Sequence, residues 1–517
     1  MKNILIDYQN NNKNKLINLF FYLLIALVAF SLYYKTLSYD ISGLDDDTFI
    51  KMDFDKISVI DVFTKTIFLN DISAFYRPML SLSFMVDNFV SASSPYAMHT
   101  TNVLLHVISC LLIFFFLKRY HFNTILSFLI TLLFATHPIN IFAVAWIPGR
   151  NDSLLFIFFL TSVIFFIEYI RTKNPLMILF HFFALFLALF TKEVAVLIPF
   201  VCLGYYFSLN KNFKPFFLKI ILFWIISVFL FFILHQSISS HISPFESYFR
   251  SLIYSYRVLL DYYSSLYLLN IHFSSYTSNL SLMLGIIAIL LSFVFMFFSN
   301  LSKSEKTIYF LLPVFMIIIA LFASQGFYQG SRLYIPLFCV LVIFGSFIDK
   351  FKNKKIIYTF LIVLCLITSY MSFQKMSVFQ NSFSFFKTVD CEKPNYNINL
   401  ANLYSYNLLK NGYLPEASEK IKEIYAITDH KNGYNLYLLS VIYIYEKNYQ
   451  QAVNILESII NFDRKDILIK LFICYKSLEN IDKSRYCYEQ AVNIIGNQQV
   501  TDNLIFQQEE LLKNVQI

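Results

Sequence analysis

The sequence predicts an all-α membrane protein, a polytopic helix bundle followed by a C-terminal helical-repeat solenoid. Of its 517 residues, 57% are hydrophobic and 14% charged, and mean hydropathy is +0.58, beyond the range of soluble globular chains. Apolar runs long enough to cross about 30 Å of hydrocarbon recur about eleven times. After Met371 hydropathy falls and polar helix-turn-helix units begin.

The expected spans are 16–34, 100–117, 122–140, 152–170, 175–190, 194–209, 215–235, 276–299, 307–323, 332–348 and 356–373. The leading MKNILIDYQNNNKNK is followed by no small-residue cleavage site, so the first run reads as a retained span rather than a signal peptide. Lys118 and Arg119, Arg171 and Lys173, Lys211 and Lys214, Lys303 and Lys306, and DKFKNKK at 349–355 all fall on the N-terminal side. The positive-inside rule makes that side cytoplasmic. The stretch 250–270 is rich in Ser and Tyr and spaces Arg257 and Asp261 i, i+4, which suits a helix lying at the interface better than a twelfth span.

Several function classes are excluded. The net charge of +8 sits in short clusters between apolar runs, as membrane topology requires, so no nucleic-acid partner is expected. The 60 Phe and 36 Tyr fit the vocabulary of an AT-rich genome. The seven Cys are scattered without CxxC pairing, which implies neither disulfide framework nor zinc site. No GxGxxG or Walker pattern supports nucleotide chemistry.

The opposite, exoplasmic side carries the loop 35–99 with LDDDTFIKMDF at 44–54, YRPML at 76–80, WIPGRND at 146–152, TKE at 191–193, the loop 236–275 and QGSRLYIP at 329–336. Asp45, Asp46 and Asp47 read either as a solvated juxtamembrane loop or as a catalytic or cation-binding cluster. Arg77, Arg150, Lys192 and Arg332 each serve equally well as headgroup anchors or ligands. Four cations on the face opposite the cytoplasmic clusters favour a site. His99, Asn102 and His106 share a helix face, suited to orienting hydrogen bonds toward the acidic loop more than to a metal.

The tail contains three superposable units beginning NLYSYNLLKNGYLPEA, NLYLLSVIYIYEKNYQQA and LIKLFICYKSLENIDKS. Their spacing near 34 residues matches tetratricopeptide repeats, and three such units share a continuous core. The expected organisation is a membrane domain over 1–375, a linker over 376–395 and repeats over 396–512 on the exoplasmic side.

The acidic run, YRP, Asp87, NVLLH, FATHPINIFAVAWIPGRNDSLLF, KEVAVLIPF and SRLYIP together resemble the TMTC proteins, which are polytopic membrane proteins with exoplasmic tetratricopeptide tails. They also resemble bacterial relatives within the GT-C class of glycosyltransferases. The resemblance places the family's acidic pair on Asp46 and Asp47, with Asp45 an additional carboxylate. Its tyrosine-arginine-proline falls on Tyr76, Arg77 and Pro78, its histidine-proline on His137 and Pro138, and its glycine-arginine-x-aspartate on Gly149, Arg150 and Asp152. Its lysine-glutamate falls on Lys192 and Glu193, and its arginine-tyrosine-proline element on Arg332, Tyr334 and Pro336. Phe142 and Ser331 stand where the family often carries Glu.

The resemblance implies a GT-C-like bundle that transfers a sugar, mannose in the animal members, from a polyprenyl-phosphate donor to a hydroxyl. That chemistry needs a carboxylate to take the acceptor's proton and cations to stabilise the departing phosphate. Asp46 or Asp47 is then the base in a single inverting displacement. Arg77, Arg150, Lys192 and Arg332 bind the phosphate. Asp45, Tyr76, His99, His106, His137, Asp152, Glu193 and Tyr334 are expected to support the site or the acceptor. A divalent cation, Mg or Mn, is an allowed cofactor, with Asp45, Asp46 and Asp47 as its ligands. The expected partners are the lipid donor, membrane lipids and a protein or peptide acceptor held by the tail. A bacterial inner membrane with a periplasmic tail fits the composition, and an endoplasmic reticulum membrane with a lumenal tail fits the topology equally. The competing readings are a lipid-linked-sugar flippase, a polysaccharide polymerase or ligase, and a scaffold anchoring the tail.

Overall fold

The computed structural model describes residues 2–43, 45–52, 54–66, 75–92, 94–120, 122–209, 215–238, 257–267, 269, 273, 279–298, 330–391, 398–427, 433–461 and 464–514. Among them are only helices and turns, in two compact units, Met1–Ser384 and Phe385–Ile517. The chain is an integral, multi-pass membrane protein. Among the described residues six helices are long and apolar enough to cross a membrane, or seven if a bent pair is counted as one span. Shorter apolar helices cover Pro175–Leu189, Glu193–Ser208 and Asn279–Ser292. The expected span at 307–323 lies outside the described residues.

The bent pair, Thr124–Thr136 and Pro138–Val144, turns by 48°. Its cause is local. Pro138 has no N–H to continue the helix, and it disfavours helical backbone in the residue before it; His137 is accordingly extended (φ −64°, ψ 127°). A break buried in the bundle leaves carbonyls that water does not reach, and side chains take them over. Asn140 Nδ2 donates to Phe134 O at 2.6 Å, His106 Nε2 to Ala135 O at 3.2 Å and Ser372 Oγ to Thr136 O at 2.8 Å. His137 Nδ1 accepts from Ile139 N at 3.2 Å.

The segment after the break descends through two short turns, Ile141–Val144 and Ile147–Gly149, into the long helix Arg150–Thr172. Asn102, fully buried on the helix Pro95–Tyr120, places one amide nitrogen 2.9–3.2 Å from the carbonyls of Val144, Trp146 and Ile147. Gly149 is forced by close approach, because a Cβ there would lie 2.0 Å from Phe142 O.

The helix Arg150–Thr172 returns through a left-handed Lys173 (φ 58°) and an Asn174 cap into Pro175–Leu189. A buried triad ties this hairpin to the helix Pro215–Ile238. Trp224 Nε1 donates to His181 Nε2 at 2.8 Å, and His181 Nδ1 lies 2.9 Å from Ser162 Oγ and 3.0 Å from Ser162 O. The described residues 257–267 are helical, with Val258, Tyr262, Tyr263 and Leu266 buried. This segment sits tightly on Asn279–Phe298, where a Cβ on Gly285 would meet Leu260 O at 2.1 Å. Its Asp261, expected to face Arg257 along an interfacial surface, is buried and accepts from Ser281 Oγ. The rest of 250–270 is outside the described residues, apart from Leu269.

Part of the stretch expected as a linker is helical, with a 3-10 turn at Met376–Phe379 and a helix at Ser382–Cys391. In the second unit three antiparallel pairs follow: Ile398–Lys410 with Leu414–Ile427, Gly433–Tyr445 with Tyr449–Ser458, and Arg464–Ser477 with Ile481–Ile495. A last helix covers Gln498–Asn514. Gly412, Lys447 and Glu479 take left-handed backbone at the three equivalent turns. Ala417 and Ala452 are completely buried, so each second helix packs closely on its first.

Gly149→Ala drives a methyl into the Phe142 backbone. The expected result is a destabilisation of about 1–3 kcal/mol or more, read as an earlier thermal unfolding midpoint in detergent with a buried-thiol reporter.

Candidate active site

The acidic loop is shaped by aromatic packing. Phe49 and Phe54 bury against Leu80, Phe84, Met98 and Ile147, with Phe49 stacked on Phe84 at 4.1 Å. This seats the one-and-a-half-turn helix Asp46–Lys51 and turns Asp46 inward, where it is 1% exposed. Ser42 donates to Asp46 Oδ2 twice, from its backbone N at 2.7 Å and its hydroxyl at 2.6 Å. Oδ1 has no hydrogen-bond partner. Burial pushes the Asp46 carboxyl up to about 6, Ser42 works against the rise, the charge of Asp45 adds to it, and the Trp146 indole lowers it slightly. Asp46 is thus a buried carboxylate whose pKa is raised toward neutrality and whose second oxygen is left without a hydrogen-bond partner. Asp45 is exposed and feels the charge of Arg77. Asp47 lies on the same short helix, with its side chain outside the described residues.

The cations meet where four elements converge. Arg77 precedes the helix Pro78–Ser91 and grips Glu193 in a bidentate pair, Nε to Oε1 at 3.2 Å and Nη2 to Oε2 at 3.0 Å. With the Asn151 amide turned to satisfy both neighbours, its oxygen accepts from Arg77 Nη1 at 3.1 Å and its nitrogen donates to Thr191 O at 2.8 Å. The guanidinium lies 4.4 Å over the Phe75 ring. Lys192 Nζ bonds Asp152 Oδ1 at 2.6 Å. Burial draws the Lys192 ammonium down to about 8; Asp152 resists this, while Arg77 and Arg332 reinforce it. Arg332, half-buried in the turn Gly330–Leu333, shares the field of Asp152, Arg77 and Glu193. His235 Nε2 approaches Glu193 Oε1 at 3.8 Å.

Four expected ligands or supports are placed elsewhere. Arg150 was expected on the donor phosphate, yet it is fully buried with every nitrogen engaged: Nε on Asn102 Oδ1 at 2.7 Å, Nη1 on Asp87 Oδ2, and Nη2 on Met98 O at 2.7 Å. Its guanidinium also stacks 4.2 Å over Phe84. It is a positioning residue that fixes the helix start carrying Asn151 and Asp152. His106 and Tyr334 bond each other at 2.6 Å inside the bundle, where His106 serves the broken helix. His137 caps the break, and its ring reaches the backbone of Leu266.

Tyr76 is buried and donates its hydroxyl to Phe63 O at 2.9 Å, which ties down the outer loop. His99 lies 3.5 Å from Asp40 O beneath that loop. Ser42 and Asn151 were not anticipated. Asn151 stands inside GRND as the variable residue between Arg and Asp, so its place in the motif gave it no weight. Among the described residues no group of three His, Cys, Asp or Glu is arranged to hold a metal ion.

No protein-family profile matches the chain. Protein O-mannosyl-transferase TMTC1 of Mus musculus is 33% identical over 144 residues, 25% of this chain and 15% of that protein. TMTC2 of Homo sapiens is 32% identical over 162 residues, 29% of this chain and 19% of that protein. TMTC4 of Mus musculus is 37% identical over 101 residues, covering 17% and 14%. The matched stretch spans less than a fifth of the length of these relatives. The resemblance to the TMTC type read from the motifs is borne out over about a quarter of the chain.

Arg150→Gln leaves Asp87 buried without its cation and is expected to cost about 3–5 kcal/mol. Adding Asp87→Asn recovers part of that loss. Thermal unfolding of both variants, followed by exposure of buried Cys110 and Cys202, checks the order.

Proposed function

We propose that this chain is a membrane glycosyltransferase. It moves a sugar, mannose by analogy with its relatives' names, from a polyprenyl-phosphate donor to a hydroxyl of a protein or peptide on the exoplasmic face. The observation that carries this reading is Asp46, a buried carboxylate with its pKa raised to about 6 and one oxygen without a hydrogen-bond partner, in a loop whose Asp45 lies in the field of Arg77. Asp46 Oδ1 takes the proton of the acceptor hydroxyl as that oxygen attacks the anomeric carbon, and the phosphate departs with the bonding pair from the opposite side, inverting the centre. Arg77, Lys192 and Arg332 offset the charge that develops on the phosphate. Glu193 and Asn151 hold the Arg77 plane, and Asp152 holds the Lys192 ammonium. Arg77 and Lys192 are already paired, so the phosphate meets a fixed framework of donors rather than flexible side chains. The repeat unit supplies a surface for the acceptor polypeptide. A bacterial inner membrane with a periplasmic tail is the setting that best fits the composition.

The test is transfer of labelled mannose from a synthetic polyprenyl-phosphate donor to host protein extract by the purified chain. Asp46→Asn is expected to lower the rate by about 10²–10⁴ while the protein stays folded. Wild-type protein that moves no label from any polyprenyl-phosphate sugar would sink the reading. The pH profile supplies a second check. The acid limb falls near pH 6 as Asp46 takes up its proton, and the alkaline limb near pH 8 as Lys192 loses its own. Lys192→Arg moves only the alkaline limb upward. The Asp46 pKa is raised above its unfolded value of 3.8, so its contribution to stability is full below that value and is lost as pH rises through about 6.

A further inference from the structure

The cation cluster has one member that no sequence motif carries. His235 lies in LHQSI, one turn before the end of the helix Pro215–Ile238, where a histidine closing an apolar run draws no attention. Its ring is wedged edge-on between two buried aromatics, with centroids 5.8 Å from Phe231, one turn earlier, and 6.4 Å from Tyr76. That packing places Nε2 at 3.8 Å from Glu193 Oε1. The same oxygen accepts from Arg77 Nε at 3.2 Å, while Oε2 accepts from Nη2 at 3.0 Å. The Glu193 carboxylate therefore stands between a guanidinium and an imidazole brought in by separate elements.

At 3.8 Å the contact is electrostatic rather than a hydrogen bond. With Nε2 carrying the proton, as a neighbouring carboxylate favours, the imidazole dipole draws part of the carboxylate's charge toward itself. What it takes is no longer spent on Arg77, so more of the guanidinium's charge is left for an arriving anion. The ring also steadies the site mechanically, because Glu193 opens the turn Glu193–Leu197 and Tyr76 directly precedes Arg77. His235 thus touches both the counter-ion of the guanidinium and its neighbour in the chain. We infer that His235 is a positioning residue of the phosphate site: acting through Glu193, it sets how firmly Arg77 binds the phosphate of the lipid donor. The inference rests on the glycosyltransferase reading and adds to it a residue outside the motifs that support it. His235 takes no part in bond making, so its loss acts on binding rather than on the chemical step.

The experiment compares the full-length chain with His235→Phe and His235→Gln in detergent. Phe keeps the ring contacts with Phe231 and Tyr76 and removes the nitrogen; Gln keeps an N–H of similar reach and removes the ring. Binding of farnesyl monophosphate, which carries a phosphate and an isoprenoid chain but no sugar, is titrated by calorimetry, beside KM and kcat for a polyprenyl-phosphate mannose. Phe is expected to weaken binding and raise KM by about 3- to 10-fold, with kcat within about twofold and the thermal unfolding midpoint unchanged. Gln is expected to recover most of the lost affinity. Equal binding by wild type and the Phe variant would overturn the inference, as would a fall in kcat at unchanged KM. Affinity lost in both variants together with a lower unfolding midpoint would also overturn it, by making His235 a packing residue. Wild-type protein that binds farnesyl monophosphate but transfers no mannose sinks the proposed reaction and leaves His235 to be judged on binding. Wild-type protein that binds no lipid phosphate overturns both.

Discussion

The fold turns on the carbonyls freed where Pro138 breaks a helix inside the membrane. In hydrocarbon each unsatisfied backbone group costs several kcal/mol, so the break exists only because side chains from elsewhere arrive to bond it. Asn140 comes from just beyond it, His106 from the helix Pro95–Tyr120, and Ser372 from the helix Lys355–Lys375. Three helices are thereby locked to one kink. Asn102, one helical turn from His106, repeats the device for the carbonyls of 144, 146 and 147 and passes the constraint to Arg150. Arg150 then anchors Asp87 and the outer helix on which the acidic loop is packed. Hydrogen bonds, ring contacts and the helices that carry them thus link the kink to Asp46.

Much of this was legible in the sequence, for a physical reason. Span-length apolar runs and helix-turn-helix spacing are periodic, so Pro95–Tyr120, Arg150–Thr172 and the three repeat pairs follow from local pattern. The acidic run, Arg77, Lys192, Glu193 and Asp152 drew attention because ionisable residues at span ends are costly and stand out. What they do when folded was harder to read. Sequence shows an arginine at 150 but not that its nitrogens are occupied, since Asn102, Asp87 and Met98 come from distant positions. Likewise His106, His137 and Tyr334 have the residue types of a reactive site, and only the three-dimensional path of the broken helix shows them to be its hydrogen-bond partners. Ser42 carried no signal, because a serine in a polar loop is common and its double bond to Asp46 depends on the turn.

The electrostatics of the cluster are balanced rather than simply positive. Arg77 with Glu193 and Lys192 with Asp152 are paired, so the region can be desolvated without stranding a charge. The pairing also restricts motion: an arginine bound on two edges and stacked over Phe75 has little rotamer freedom left to lose when an anion arrives.

The Arg150–Asp87 pair also bears on how the chain is made. On the topology proposed above, an arginine beside a span end on the far side opposes the rule by which basic residues are retained on the near side. Its carboxylate partner is synthesised sixty-three residues earlier, so it is in place when the hairpin containing Arg150 inserts. The cation can be neutralised as it crosses rather than afterwards. Order of synthesis then becomes part of the folding code: a permuted chain that delivered Arg150 before Asp87 would present the insertion machinery with an uncompensated charge, although its finished structure would contain the same contacts.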